Sequence, residues 1–188
     1  MGGPKQIGQG ITYNLLYQIS KQLYQLIKVS SNIILKQNKL KIARLSDEKA
    51  SGTAGGATLA GVYQTRTLNT EVDPDGLVTL SANQITITDV GTYHIYATSP
   101  VCAVGQSRAR FKDITNGTTA ILGTSAYALV SSVGLNTSFI DDVITTTVPN
   151  QIFEVQHYTE LVRATNGFGV QSTSGENEVY TQVRITKL

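Results

Sequence analysis

The stretch Gly91-Thr92-Tyr93-His94-Ile95-Tyr96-Ala97-Thr98-Ser99-Pro100 determines how the rest of this 188-residue chain is interpreted. Tyr93, Ile95 and Ala97 alternate with more polar residues, and this period of two predicts a β-strand with one apolar face. The segment Ile85–Thr88 just before it shows the same strand pattern, with Asp89–Gly91 as a turn. We therefore predict that the two strands form a central β-hairpin.

Strand patterns continue along the chain from residue 59 to residue 188. About ten short ones are separated by turn signals such as Asp73–Gly76 and Asn116-Gly117, and no helical pattern lies between them. The absence of Trp, the 17 Gly and the 15% charged residues also suit a β-rich protein. We predict an all-β sandwich or jelly roll. Its strands include Thr119–Gly123, Tyr127–Ser131, Phe168–Gln171 and the closing Val179–Leu188.

The N-terminal segment, residues 1–45, has a different pattern. From Tyr13 to about Val29 the apolar spacing is helical, and Ser30–Asn32 breaks it. One helix cannot bury so wide an apolar face, so it must pack against copies of itself, the β-domain or a larger assembly. Whether residues 30–45 are helix or strand is open. The predicted anchor and oligomerisation residues, spaced 3, 4 and 3 apart, are Leu16, Ile19, Leu23 and Leu26.

Charge and composition divide the chain in the same way. Residues 1–45 contain seven Lys and Arg and no acidic residue, whereas residues 46–188 contain 8 basic and 13 acidic residues, a net charge of −5. The basic segment could meet nucleic acid, an anionic surface or an acidic protein, or its lysines could only solvate a helix. Residues 46–58 are small and polar, which indicates a linker. The predicted domains are an anchor (1–45), a linker (46–58) and a head (59–188).

No combination of residues in the sequence points to catalysis or metal binding. His94 and His157 lie far apart in strand patterns, and the adjacent Asp141 and Asp142 would point to opposite faces of a strand. The single cysteine, Cys102, follows a strand end and is expected to be a small buried residue. We therefore predict no enzyme activity, no catalytic or metal site and no cofactor. Asp73 and Asp75 fit turn chemistry, and no apolar run reaches membrane-spanning length.

Two segments carry a resemblance to a known superfamily. The run Ile85-Thr86-Ile87-Thr88-Asp89-Val90-Gly91-Thr92-Tyr93-His94-Ile95-Tyr96-Ala97 and the closing strand Val179–Leu188 resemble the tumour-necrosis-factor-like superfamily and the globular heads of complement and collagen-like proteins. The resemblance covers about residues 61–188. It implies a jelly roll of about ten strands, with Tyr93, Ile95 and Ala97 on a core strand of the head. It also implies a homotrimer that buries one flank of each sandwich, with Tyr and Phe side chains contributing.

A second resemblance concerns the place where the protein works. Tyr13–Leu23 and Gly105–Leu122 are similar to parts of tailed-phage structural proteins, in which a short N-terminal segment docks on the virion and a jelly-roll head faces outward. This implies a bacteriophage fibre or spike subunit that is located in the virion, docks on other virion proteins through residues 1–45 and attaches to a host-surface glycan or protein. The alternatives are a capsid decoration protein without a receptor role and a non-viral secreted adhesive module. We do not expect a nucleic-acid partner.

Overall fold

A long helix, α1, spans Ile7–Gln37 and belongs to the first of two compact units, residues 1–39 and 40–188. The computed structural model describes residues 7–37, 40–131 and 134–188. At 1.5 Å per residue, the 31 residues of α1 extend about 46 Å. In the described part of the chain, no helix combines the length and the hydropathy that a membrane crossing needs.

The helix is longer than the predicted 13–29 segment at both ends. The sequence pattern predicts a break at Ser30–Asn32, but the helix continues through it, so that prediction was wrong. The hydroxyl of Ser30 donates a hydrogen bond to the carbonyl oxygen of Ile27 at 3.0 Å. The backbone of the helix thus supplies a hydrogen-bond acceptor for this polar side chain, and the helix can continue. Residues 30–45, left open above, divide into the end of the helix and the beginning of a strand.

The second unit is a sandwich of two antiparallel sheets. The first sheet has the strand order β3-β1-β11-β6-β9 and the second has the order β4-β5-β10-β7-β8, with the short β2 paired to β10. The fold is a jelly roll, as predicted. Its strands are β1 (Lys41–Lys49), β2 (Tyr63–Thr65), β3 (Thr70–Val72), β4 (Val78–Ser81), β5 (Gln84–Ile87), β6 (Gly91–Cys102), β7 (Gly105–Asp113), β8 (Thr118–Ala128), β9 (Leu135–Thr146), β10 (Gln151–Thr159) and β11 (Glu178–Lys187).

The main core lies between the sheets and is built from alternate residues of each strand. Tyr93, Ile95 and Ala97 of β6 are fully buried there. On the opposite side of the core, in the second sheet, Phe111 of β7 stacks on Phe153 of the neighbouring strand β10, with ring centroids 4.9 Å apart and an interplanar angle of 10°. Aromatic pairs in this offset geometry add to the hydrophobic stabilisation that their buried area supplies. The period of two seen in the sequence is therefore the alternation between core and outer face.

The predicted central hairpin does not form. Strand β5 belongs to the second sheet and β6 to the first, so the two strands face each other across the core instead of pairing. The connection at Asp89–Gly91 passes from one sheet to the other, and its Asp89 carbonyl accepts hydrogen bonds from Tyr93 Oη (3.0 Å) and Thr146 Oγ1 (2.9 Å). A period of two shows which face of a strand is buried but not which strand is its neighbour, and this is why the prediction was wrong.

The predicted anchor and linker boundaries also need correction. Residues 41–49 form β1, whose Leu45 is buried in the main core, so neither the anchor nor a linker occupies them. The small residues that follow pack closely against another loop. A Cβ on Gly55 would lie 2.5 Å from the carbonyl oxygen of Phe168, and the Gly55 amide donates to Gly169 O at 2.9 Å. The glycine there permits a close backbone approach, not linker flexibility.

Two further strand predictions differ from the structure. The segment predicted at Thr119–Gly123 and the first two residues of Tyr127–Ser131 belong to one strand, β8, whose pairing with β7 shifts register between Arg108 and Arg110. A bulge of this kind interrupts the alternation and makes one strand look like two. The segment Phe168–Gln171 is not a strand.

Candidate functional site

The predicted anchor residues of α1 form an exposed apolar stripe. Leu16, Ile19, Leu23 and Leu26 are 61%, 51%, 56% and 66% exposed. Every side chain described in this helix, over residues 13–32, is exposed, so its apolar and polar faces are equally open. An apolar stripe of this length is typical of a helix that packs against a partner.

The residues predicted to lie on the core strand of the head are buried in the structure. Tyr93, Ile95 and Ala97 have no exposed surface, so no ligand or partner can contact their side chains in the folded head. Burial raises the pKa of the Tyr93 phenol, although the ammonium of Lys187 works in the opposite direction. These side chains of β6 therefore contribute to the core, and a ligand or partner of the head would have to bind elsewhere on its surface.

The two histidines considered as candidate site residues lie in different environments. His94 Nε2 lies 2.6 Å from Asp141 Oδ1 on an outer face, and His157 is buried in the interior. Among the described residues, no three His, Cys, Asp or Glu side chains are grouped closely enough to hold a metal ion. Asp73 accepts backbone hydrogen bonds from Asp75 N (3.2 Å) and Val78 N (2.7 Å), and burial raises the pKa of the Cys102 thiol.

A group of buried polar side chains crosses the interior beside the main core. In β6 the inward positions run from Ala97 of the main core through Ser99 to Val101, which belongs to a second, smaller apolar cluster. The buried polar residues thus separate two apolar regions. We call them the polar layer, and its members are Arg66, Ser99, Ser107, Ser138, His157 and Thr181.

Arg66 is the largest member of the polar layer and is fully buried. Its Nε donates to Thr181 Oγ1 (2.7 Å), Nη1 donates to Pro100 O (3.2 Å) and Nη2 donates to Phe168 O (3.1 Å). The guanidinium carbon lies 4.0 Å from the centroid of the Phe168 ring. Desolvation lowers the pKa of Arg66 to about 9, and the negative charge of Asp47 opposes that shift. The arginine therefore connects three separate segments through its donors.

His157 is another member of the same layer, and its ring is in contact with that of Phe168, at 6.1 Å between ring centroids. Both ring nitrogens are buried and without a hydrogen-bond partner among the described residues, as are the hydroxyls of Ser99 and Ser107. Desolvation holds the pKa of His157 well below its ordinary value, and the positive charge of Arg66 lowers it further. The ring is consequently neutral at physiological pH.

The sequence contained one usable signal for the polar layer. The period of two that buries Tyr93, Ile95 and Ala97 also turns Ser99 inward, so a buried hydroxyl was predictable there. Nothing comparable marked Arg66, which lies in the loop after β2 and is surrounded by ordinary polar residues in the sequence.

The edge where β8 and β9 meet carries exposed apolar side chains. The hydroxyl of Ser138 on β9 donates to Thr124 O of β8 at 2.6 Å and accepts from the Ala109 amide at 2.9 Å. These two hydrogen bonds connect the first sheet to the second at this edge. Its exposed apolar residues, which we call the apolar edge, are Leu122 (59%), Leu129 (50%), Leu135 (64%), Phe139 (43%) and Val143 (47%).

A shallow groove of about 450 Å³ lies on the outer face of the first sheet. It is lined by Val72 of β3, Tyr96 of β6, and Val179 and Arg184 of β11. The guanidinium carbon of Arg184 lies 5.3 Å from the centroid of the Tyr96 ring. Val72 and Val179 are about half exposed, so this groove also presents apolar surface to its surroundings.

Comparison with known proteins identifies the fold. Neither a protein-family model nor a curated protein sequence matches the chain. The structure is similar to the crystal structure of murine APRIL at pH 5.0, with a TM-score of 0.53 and 12% identity over 80% of this chain and 100% of that chain. A second similar structure is that of Eiger TNF from S. frugiperda, with a TM-score of 0.45 and 10% identity over 79% of this chain and 92% of that chain. The chain has a tumour-necrosis-factor-like jelly-roll fold.

Proposed function

We propose that this chain is a non-enzymatic structural protein of a bacteriophage particle, in which it forms a homotrimeric fibre or spike. Helix α1 anchors the protein and the jelly-roll head attaches to the host surface. One observation carries the proposal: α1 exposes Leu16, Ile19, Leu23 and Leu26 by half or more of their area. Most of the stability of a helix in a protein comes from packing of its apolar face, and a stripe at heptad spacing is stabilised when other helices cover it.

The head exposes two different apolar surfaces that could contact each other in a closed ring of three copies. A ring with threefold symmetry needs a heterologous contact, in which one patch of each copy meets another patch of the next. The apolar edge, with Phe139 and Val143, and the groove beside Val72 and Val179 are such a pair. We propose that the apolar edge of one head packs against that groove of its neighbour.

The phage role rests on the division of the chain into two units. The sequence of residues 1–39 holds five Lys and no Asp or Glu, whereas residues 40–188 hold 10 Lys and Arg against 13 Asp and Glu, a net charge of −3. A basic, apolar helix on an acidic head suits docking on a particle by one unit and display of the other. The similarity of Tyr13–Leu23 to tailed-phage structural segments adds to this argument.

Measuring the mass in solution tests the trimer. At micromolar concentration the full chain should sediment at three times its mass of 20.2 kDa. Phe139→Asp should weaken the trimer by placing a charge in the contact, whereas Val90→Asp, at an exposed apolar residue outside the apolar edge, should leave it intact. A monomeric full chain, or equal effects of the two substitutions, would contradict the proposed assembly.

Particle assembly tests the anchor separately. A chain without residues 1–39 should fold as a head and be missing from purified particles, while the full chain is incorporated. Full incorporation of the truncated chain would eliminate the anchor role. Electron microscopy of labelled particles would then show whether the protein lies on the tail, as a fibre, or on the capsid, as a decoration protein.

A further inference from the structure

A second groove, of about 750 Å³, lies on the outer face of the second sheet. The strand register places four of its side chains in one row across the sheet: Tyr63 of β2 is opposite Tyr158 of β10, which is opposite Arg108 of β7, which is opposite Ser125 of β8. With neighbouring strands about 4.8 Å apart, the row is about 14 Å long. It is therefore a linear site that combines aromatic rings with one positive charge.

Arg108 supplies that charge without a carboxylate partner among the described residues. Its Nε donates to Ser125 Oγ at 3.1 Å and its Nη2 donates to the same oxygen, so the other donors of the guanidinium remain available. The nearby Arg110 has one more of its nitrogens engaged, because Nη1 donates to Thr119 Oγ1 at 3.3 Å while Nε and Nη2 donate to Gln156 Oε1 at 3.0 and 2.7 Å. A guanidinium with free donors is suited to bidentate binding of a carboxylate.

The aromatic part of the groove is held in place and partly exposed, with Arg110 covering one face of the Tyr63 ring. The ring centroids of Tyr63 and Tyr158 are 5.8 Å apart at an angle of 56°, and the guanidinium carbon of Arg110 lies 3.7 Å from the Tyr63 centroid. Tyr127, also in the groove, is 55% exposed. None of the three phenol hydroxyls has a recorded hydrogen-bond partner in the part of the chain that the structure describes. Exposed tyrosines offer an apolar ring and a polar tip to the same ligand.

The charge of the head distinguishes between anionic ligands. A nucleic acid is held by many phosphate contacts and needs an extended positive surface. The head has a net charge of −3, and its groove provides one available arginine beside tyrosines and the amide of Gln106. A ligand with a single carboxylate, hydroxyl groups and apolar C–H faces fits this set better than a polyanion does.

We propose that this groove binds an oligosaccharide that carries a carboxylate, with Arg108 on the carboxylate and Tyr63, Tyr127 and Tyr158 against the sugar rings. Gln106 and Ser125 bind the sugar hydroxyls. The inference deepens the attachment role proposed above, on which it rests for its biological meaning, and moves recognition from loops to a sheet face. Binding itself is a property of the groove and can be measured on the full chain alone.

Titration of the full chain with 3′-sialyllactose and cellobiouronic acid, which carry one carboxylate each, tests this proposal beside a neutral counterpart of each. The counterparts are lactose and cellobiose. At least one acidic sugar should bind ten or more times more tightly than its counterpart. No binding of either acidic sugar at millimolar concentration, equal binding of the neutral forms, or tighter binding of oligothymidylate would overturn the proposal.

Matched variants locate the site. Arg108→Gln should weaken binding of the acidic sugar at least tenfold, whereas Lys112→Gln, the same loss of charge on the same strand but outside the groove, should change it less than twofold. Tyr127→Ala removes an exposed ring with no recorded side-chain hydrogen bond, so the head should fold, and binding should weaken fivefold or more. Equal effects of the Arg108 and Lys112 substitutions, or an unchanged affinity in the Tyr127 variant, would overturn the assignment.

The outcomes separate this inference from the proposed function. A monomer that binds acidic sugar through Arg108 would contradict the trimer and retain the groove. A trimer that joins particles and binds no acidic sugar would retain the structural role and eliminate the groove as a sugar site.

Discussion

The main core and the polar layer lie between the same two sheets but are stabilised differently. In the main core, Phe111 and Phe153 stack among fully buried aliphatic side chains, and burial of apolar area stabilises the fold. In the polar layer, Arg66 holds three segments together by hydrogen bonds, while His157 has no hydrogen-bond partner among the described residues. One interior can therefore combine a region that tolerates no cavity with a region whose stability depends on charge and pH.

A substitution in the main core should destabilise the protein most. Phe111→Ala removes a stacked, fully buried ring and leaves a cavity, so the free energy of unfolding should fall by about 3–5 kcal/mol. Chemical denaturation monitored by circular dichroism measures it. Val148→Ala, at an exposed residue, should change stability by less than about 0.5 kcal/mol. A loss below about 1 kcal/mol for Phe111→Ala would show that this region is not tightly packed.

The next effect is at Arg66. Arg66→Ala leaves the part-buried carbonyl of Pro100 and the buried carbonyl of Phe168 without these donors and opens a cavity, which should reduce the free energy of unfolding by about 3 kcal/mol. Arg66→Met fills more of the volume but makes no hydrogen bond, so it should recover only part of that loss. If the Met variant unfolds at the same denaturant concentration as the native protein, the hydrogen bonds of Arg66 add no net stability.

A smaller, pH-dependent effect is expected at His157. Its pKa is lowered in the folded head, so below the ordinary value of 6.5 the unfolded chain binds a proton that the folded head does not. The free energy of unfolding should therefore decrease as the pH falls below about 6.5, by at most about 1.4 kcal/mol per pH unit from this group. His157→Leu should remove this part of the pH dependence, and His94→Gln, on an outer face, should retain it. Equal pH slopes for the native and His157→Leu proteins would contradict the assignment.

The smallest effect concerns the hydroxyls of the polar layer. Ser107 Oγ has no hydrogen-bond partner among the described residues, so Ser107→Ala should leave stability unchanged or raise it by about 0.5 kcal/mol. Ser138 Oγ is bonded on both sides, and Ser138→Ala should reduce the free energy of unfolding by about 1–2 kcal/mol. Thermal melts of the two variants measure the difference. Equal melting temperatures would mean that hydrogen bonding does not distinguish these serines.

Much of the fold could be predicted from the sequence because it depends on local periodicity. The alternation in Gly91–Pro100 is the alternation of β6 between the core and an outer face, and turn residues mark most strand ends. Pairing could not be predicted this way, since β5 and β6 have the buried faces expected of neighbours but lie in opposite sheets. The role of Gly55 was equally hidden, because its small size matters only against the backbone of Phe168.

The candidate surfaces could be predicted less well than the fold. The stripe of α1 is visible in the sequence because the heptad spacing of Leu16, Ile19, Leu23 and Leu26 is local. The row of Tyr63, Tyr158, Arg108 and Ser125 joins residues from four strands, and only the register of the second sheet brings them together. A long-range arrangement of this kind leaves no pattern in any one segment.

The pairing of β1 with β11 has a consequence for the order of events during synthesis. Its register joins Lys41 to Lys187, so β1 leaves the ribosome long before this partner strand exists. Such distant pairing closes late, and the first sheet cannot be completed until β11 has emerged. Helix α1 needs only local hydrogen bonds and can form while the head is still open. In a growing chain, helix α1 can therefore be complete before the β-sandwich is.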